Sequence, residues 1–205
     1  KKIFTMLGLL MGFYLVGFTQ DYYLPLGNSK SEAAVVDNSI NSLKMSFSIQ
    51  GLSGKDVTTK SGQHFTELYF GNGYSYGDLG TPKLPAFKRL IQVPFGAEAV
   101  VNVIGYSEEI YSLKEMGINN LLYPVQPSPR KDWDLDKIPF EFNAKSYQTS
   151  GFQNKPTATV EVLGTMRGVR IARVEVAPVE YDPTNGLIKV YNDIEVEIQF
   201  KGADR

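Results

Sequence analysis

The chain contains no cysteine, and this absence excludes several kinds of site at once. There can be no disulfide bond, no thiolate nucleophile, no cysteine-ligated zinc and no lipidated N-terminal cysteine. Histidine is almost absent too, because His64 is the only one in 205 residues. The sequence predicts no cofactor. The hydrophobic core alone must therefore stabilise the folded chain.

The chain also has no excess of basic residues. Its 21 lysines and arginines are balanced by 22 aspartates and glutamates, for a formal net charge of −1. A nucleic-acid-binding protein needs a basic face that neutralises phosphates, and this balance gives no sign of one. The sequence therefore predicts no nucleic-acid partner.

One long apolar run is present, and it lies at the N-terminus. Lys1 and Lys2 precede apolar and small residues at positions 3–18, and Thr19 and Gln20 follow. This order of charge, apolar core and polar exit is typical of a secretory signal peptide, and no cationic stop-transfer segment follows it. The sequence predicts a signal peptide at 1–19, export through it, and no stable membrane anchor.

The rest of the chain reads as β-structure. Residues 20–42 show little periodicity and predict a mobile lead-in. Apolar and polar residues then alternate at 43–49 and 194–200, as in half-buried strands, and residues 65–70 and 169–176 predict further strands. Residues 99–106 are apolar on both faces, which predicts a central strand. Residues 107–119 are the best candidate for a short helix.

These patterns predict a single all-β domain at 43–205, an antiparallel β-sandwich or curled sheet of about eight to ten strands.

The most distinctive segment is residues 123–139, in which the basic pair Arg130 and Lys131 stands between two groups of prolines. Proline fixes φ and cannot donate to a β-ladder, so this segment predicts an ordered, extended, solvent-facing connection. An extended loop that presents a basic pair has the shape that a basic-specific peptidase binds in its cleft.

Asp132, Asp134 and Asp136 have the spacing that opens a calcium-binding loop. The position that requires glycine is Lys137, however, and the final acidic position is Asn143. The three aspartates are a weak calcium candidate, and a solvated acidic loop is the alternative.

His64 is the only residue that suggests catalysis. With a serine and an aspartate it could form a hydrolase site, but the sequence has no G-x-S-x-G signature. The ordinary interpretation is a polar residue at the start of a strand.

Several segments together resemble the N-terminal pro-region of the gingipain family of secreted cysteine peptidases, and most of all its lysine-specific branch. The resemblance runs in order and spacing over about residues 43–204. It is carried by residues 80–85, 88–94, 110–113, 126–128, 137–140, 163–171, 178–182 and 199–204.

The resemblance implies an all-β pro-domain that assists the folding of a downstream peptidase in the same precursor and keeps it latent. It also implies passage through the periplasm and type IX transport to the cell surface or medium. The chain itself would not be an enzyme, since the catalytic cysteine and histidine of such peptidases lie downstream.

In this family a basic side chain of the inhibitory loop enters the S1 pocket of the peptidase. Counting back from Ile138 and Pro139, which match the family's hydrophobic-proline pair, places that side chain at Lys131, with Pro129, Arg130 and Asp132 around it. A lysine there implies a lysine-preferring peptidase.

Alternatives remain at this point. Arg130 could occupy S1 in a register shifted by one residue, or the loop could be cleaved at Arg130 and Lys131, and Arg205 is another candidate processing site. The chain could also be a free-standing exported β-sandwich that binds through exposed aromatics such as Tyr74, Tyr76 and Trp133.

Overall fold

β-Strands and turns make up the described part of the protein, which in the computed structural model comprises residues 21–27, 30–134, 137–153 and 156–202. Those residues include no helix, and hence none that could cross a membrane. The predicted signal peptide at 1–19 lies outside them. The strands are β1 Asp21–Pro25, β2 Glu32–Asn38, β3 Ser42–Ser48, β4 Gly51–Thr58, β5 His64–Tyr69, β6 Tyr74–Tyr76, β7 Leu84–Gln92, β8 Glu98–Ser112, β9 Thr157–Met166, β10 Val169–Ala177, β11 Val179–Asp182 and β12 Leu187–Lys201.

The strands of the described residues form three sheets, and every pairing among these strands is antiparallel. One sheet has the order β1-β4-β5 and a second has the order β6-β7-β10-β9. In the third, β12 pairs with β8 along one edge and with β11 and then β3 along the other, and β2 pairs with β3. The predicted all-β antiparallel fold is confirmed.

Strand β12 shows why the alternating pattern folds in this way. Ile194, Val196 and Ile198 are fully buried, whereas Glu195 and Glu197 between them point away from the core. Because successive side chains of a strand point to opposite faces, the sequence alternation places one row of apolar groups against the other sheets. The same alternation buries Leu43, Met45 and Phe47 on β3.

The segment 187–201 is one strand with an irregularity at its middle. The register with β8 shifts around Asn192 and Glu195, and Asp193 has a φ of 49°. The Asn192 side chain accepts a hydrogen bond from the Ile49 amide at 2.7 Å and donates to the Ile49 carbonyl at 2.9 Å. It thus replaces ladder bonds that the bulge would leave unmade.

Three sequence predictions about local structure are wrong. Residues 21–25 and 32–38 are not a mobile lead-in but strands β1 and β2, paired with β4 and β3. Residues 107–112 are not helical but complete β8. Within the described residues β8 pairs only with β12, so it is an edge strand and not a central one.

The prediction at 20–42 failed because small and polar residues can be held in a strand by a neighbouring strand. The prediction of a central strand at β8 failed because apolar residues on one of its faces are not covered by another sheet. Ile104 and Ile110, for example, are half exposed.

Candidate functional site

The base of the proline-rich loop is fixed by backbone hydrogen bonds on both sides. The Tyr123 amide donates to the Thr66 carbonyl of β5 at 2.8 Å. On the other side, the Lys83 amide donates to the Tyr123 carbonyl and the Val125 amide donates to the Thr81 carbonyl, each at 2.8 Å. Residues 121–125 are therefore held between β5 and the turn that precedes β7.

The side chain of Gln126 joins the outgoing and returning arms of the loop. Its Nε2 donates to the Glu141 carbonyl at 2.8 Å, and its Oε1 accepts from the Glu141 amide at 3.1 Å. This pair of bonds has the form of a β-bridge made by a side chain. The loop 127–140 therefore starts and ends beside the hydrogen bonds between Gln126 and Glu141.

Aromatic rings pack beneath this clamp. Phe65 of β5 lies 5.9 Å from Tyr123 and 5.6 Å from Phe140, measured between ring centroids. Phe142 stacks on Tyr147 at 4.6 Å, and the buried Tyr147 hydroxyl donates to the Leu122 carbonyl at 2.7 Å. Burial raises the pKa of Tyr147 well above its usual value, so this hydroxyl keeps its proton.

The Gln126 clamp gives a local prediction. In Gln126→Ala the Glu141 amide loses its acceptor, so we expect its hydrogen exchange to accelerate by about 5- to 30-fold. Exchange at the fully buried strand position Val174 should stay unchanged. Amide exchange followed by NMR measures both, with the exposed Gln148→Ala as the matched control. Unchanged exchange at Glu141 would show that the arms are held without the side chain.

Glu67 is a partly buried charge, next in sequence to the Thr66 that anchors this base. It lies on β5 and accepts a hydrogen bond from Lys83, and its other carboxylate oxygen is 3.3 Å from Lys55 Nζ. Burial by itself would raise the pKa of Glu67, but the hydrogen bond from Lys83 and the charges of Lys83 and Lys55 outweigh it and hold the pKa below its usual value.

This arrangement predicts a pH-dependent contribution to stability. Because folding lowers the pKa of Glu67, its contribution is present above the unfolded value of about 4.3 and is lost as pH falls through the folded value. We expect Glu67→Gln to lower the free energy of unfolding by about 1 kcal/mol at pH 7. Urea unfolding at pH 7 and pH 3 measures this. The difference from the wild type should shrink at pH 3, and an equal difference at both pH values would contradict the ion-pair account.

The tip of the loop presents the basic pair on a turn. The Trp133 amide donates to the Arg130 carbonyl at 3.1 Å, which places Lys131 and Asp132 at the two corners of the turn. Pro129, Arg130, Lys131 and Asp132 are all exposed. No ion pair or side-chain hydrogen bond holds Lys131 within the described part of the chain. Its ammonium group is therefore available to a partner.

Arg130, unlike Lys131, contacts another side chain of the loop within the described residues. Its guanidinium carbon lies 5.8 Å from the centre of the Trp133 ring, within the range of a cation–π contact. Trp133 also lines a pocket of about 500 Å³ with Leu79, Pro127 and Ile138. The sequence did not reveal this contact, although the spacing of three residues across a turn is compatible with it.

The remaining candidates are not brought together in the described residues. Asp134 forms an ion pair with Lys137 at 3.1 Å, Asp136 lies outside the described residues, and no group of three possible metal ligands occurs within them. The calcium site stays a prediction. His64 is exposed at the start of β5, with its Nδ1 3.1 Å from the Thr58 hydroxyl. Arg205 lies outside the described residues.

Comparison with known proteins identifies the kind of domain. The family model Propeptide_C25 matches residues 29–205. Lys-gingipain HG66 of Porphyromonas gingivalis is 38% identical over 187 residues, which are 91% of this chain and 11% of that protein. Gingipain R1 of the same organism is 28% identical over 155 residues, 76% of this chain and 15% of that protein. The chain therefore spans only a small part of the relatives it matches.

Two solved structures share the fold. A chain from a study of the zymogenic latency of gingipain K from Porphyromonas gingivalis superposes with a TM-score of 0.81 at 38% identity, covering 90% of this chain and 100% of that one. A chain from the complex of the pro- and mature domains of Porphyromonas gingivalis RgpB superposes with a TM-score of 0.68 at 22% identity, covering 83% and 86%. The second likeness concerns the fold alone.

Proposed function

This chain belongs to the Propeptide_C25 family, and on that premise we propose that it keeps a gingipain-like cysteine peptidase latent by placing Lys131 in the S1 pocket. The chain comprises the propeptide part and not the catalytic domain, in line with the small share of its relatives that it spans. The proposed partner is the peptidase domain of the same precursor, whose folding the propeptide would also assist.

The observation that carries this proposal is the geometry of the tip. Lys131 stands exposed at the corner of a turn, between arms that Gln126 clamps together at their base. A lysine ammonium is a compact charge on a long apolar stem, so it can reach a carboxylate at the bottom of a narrow pocket. The prolines and the clamp lower the entropy cost of ordering the loop on binding.

The proposed function implies an order of export and processing for the precursor. Residues 1–19 direct export and are removed, and the domain passes through the periplasm to the surface or the medium with its peptidase. The folded unit includes residues 21–25 and 32–38, because β1 and β2 pair within their sheets. Removal of the propeptide requires cleavage, for which the exposed Arg130 and Lys131 and the terminal Arg205 are the candidate sites.

Inhibition by the purified propeptide tests the proposal. Residues 20–205 are titrated against a lysine-specific and an arginine-specific gingipain-type peptidase, with a small chromogenic substrate as the readout. We expect tight inhibition of the lysine-specific enzyme and weaker inhibition of the other. No inhibition of either enzyme would overturn the proposal and return the chain to the alternative of a binding module that uses exposed aromatics such as Tyr74 and Trp133.

A further inference from the structure

The loop carries two adjacent basic residues, and only one of them can enter an S1 pocket in a given register. Lys131 stands at a corner of the turn and Arg130 at its first position, but both side chains are exposed, so exposure alone does not choose between them. A difference between the two side chains in the free protein would therefore set which residue is presented. Such a difference exists at Trp133.

We infer that Trp133 is a specificity-determining residue of the loop, which holds Arg130 against the protein's own surface so that Lys131 alone is presented. The inference deepens the proposed function and rests on it. The guanidinium carbon of Arg130 lies 5.8 Å from the Trp133 ring, whereas Lys131 makes no such contact within the described residues. To enter a pocket, Arg130 must first give up this contact.

The backbone supports the same assignment. The hydrogen bond from the Trp133 amide to the Arg130 carbonyl closes the turn that brings the two side chains together. Trp133 is 41% exposed and lines a pocket with Leu79, Pro127 and Ile138. The ring is thus partly covered by neighbouring residues.

Charge chemistry explains why the selected residue is lysine. A guanidinium group stacks well on an aromatic face, because it is planar and weakly hydrated, whereas an ammonium group is strongly hydrated and retains its water. In a loop with both residues, an indole ring preferentially retains the arginine. The partner class that follows is a peptidase whose S1 pocket takes lysine in preference to arginine.

Selectivity measurements on ring variants test this inference. In Trp133→Leu the apolar bulk is kept and the aromatic face is lost, so Arg130 is released. We expect the ratio of inhibition constants, arginine-specific over lysine-specific, to fall about two- to fivefold, and Trp133→Tyr to restore most of it. A variant with a purely structural effect would weaken both inhibition constants together and leave their ratio unchanged.

The contact itself has an independent readout, because Trp133 is the only tryptophan in the chain. We expect acrylamide quenching of its fluorescence in the free protein to increase in Arg130→Ala and to stay unchanged in Lys131→Ala. Equal quenching in the wild type and Arg130→Ala, or an unchanged selectivity ratio in Trp133→Leu, overturns the inference. Failure of the proposed function has a different signature, since the wild type would then inhibit neither peptidase.

Discussion

Lys131→Ala is expected to weaken inhibition of a lysine-specific gingipain-type peptidase by about 30- to 5,000-fold. In the proposed complex the Lys131 ammonium group is buried against a carboxylate of the S1 pocket. Removing one partner of a buried, hydrogen-bonded charge pair leaves the other charge desolvated and unpaired, which costs about 2–5 kcal/mol of binding free energy. Most of this loss should appear as faster dissociation, which stopped-flow or surface-binding kinetics measure.

Two matched variants separate this effect from a general loss of positive charge. Arg130→Ala removes the neighbouring charge of the same turn, and Lys137→Ala removes an exposed lysine of the same loop that pairs with Asp134. Each should change the inhibition constant for the lysine-specific enzyme by no more than about threefold. If all three variants lose affinity equally, the loop acts through its overall charge and no side chain occupies S1.

The fold of Lys131→Ala should be unaffected, because the side chain makes no ion pair or hydrogen bond within the described residues. Its free energy of unfolding is expected to lie within about 0.5 kcal/mol of the wild type. Weakened inhibition with unchanged stability would therefore assign the effect to the interface.

The sequence was sufficient to predict those elements whose signal is local. Alternation at 43–49 and 194–200 predicted β3 and the second half of β12, since a period of two with a buried face specifies a strand without knowledge of its neighbours. The loop was equally readable, because proline restricts the backbone wherever it stands. The exposure of Arg130 and Lys131 agrees with the solvent-facing part of that prediction, whereas the turn at 130–133 departs from the predicted extended backbone.

What the sequence could not give depends on partners distant along the chain. Strand β2 forms because β3 is beside it, and no property of Glu32–Asn38 alone requires a strand. The clamp joins the Gln126 side chain to the backbone of Glu141, whose atoms carry no sequence signal. The same holds for the meeting of the three sheets, which depends on aromatic residues far apart in the chain.

Phe87→Ala is the substitution with the largest expected effect on stability. Phe87 of β7 is 1% exposed, and its ring centroid lies 5.3 Å from that of Phe47 on β3 and 4.6 Å from that of Phe70, which directly follows β5. Phe47 and Phe87 belong to two different sheets and Phe70 adjoins a strand of the third, so Phe87 packs where all three sheets meet. Truncation opens a cavity that the rigid strands can fill only in part, and we expect a loss of about 3–5 kcal/mol in the free energy of unfolding.

The control is Phe95→Ala, which removes a ring that is 53% exposed and should cost no more than about 0.5 kcal/mol. Urea unfolding with an unchanged slope would assign the difference to stability alone. Equal losses in both variants would contradict a shared core at Phe87. Because the tip of the loop is held by its own clamp and turn, Phe87→Ala should still inhibit within about threefold of the wild type wherever it remains folded. The core would then determine the stability of the propeptide, and Lys131 would determine its affinity for the peptidase.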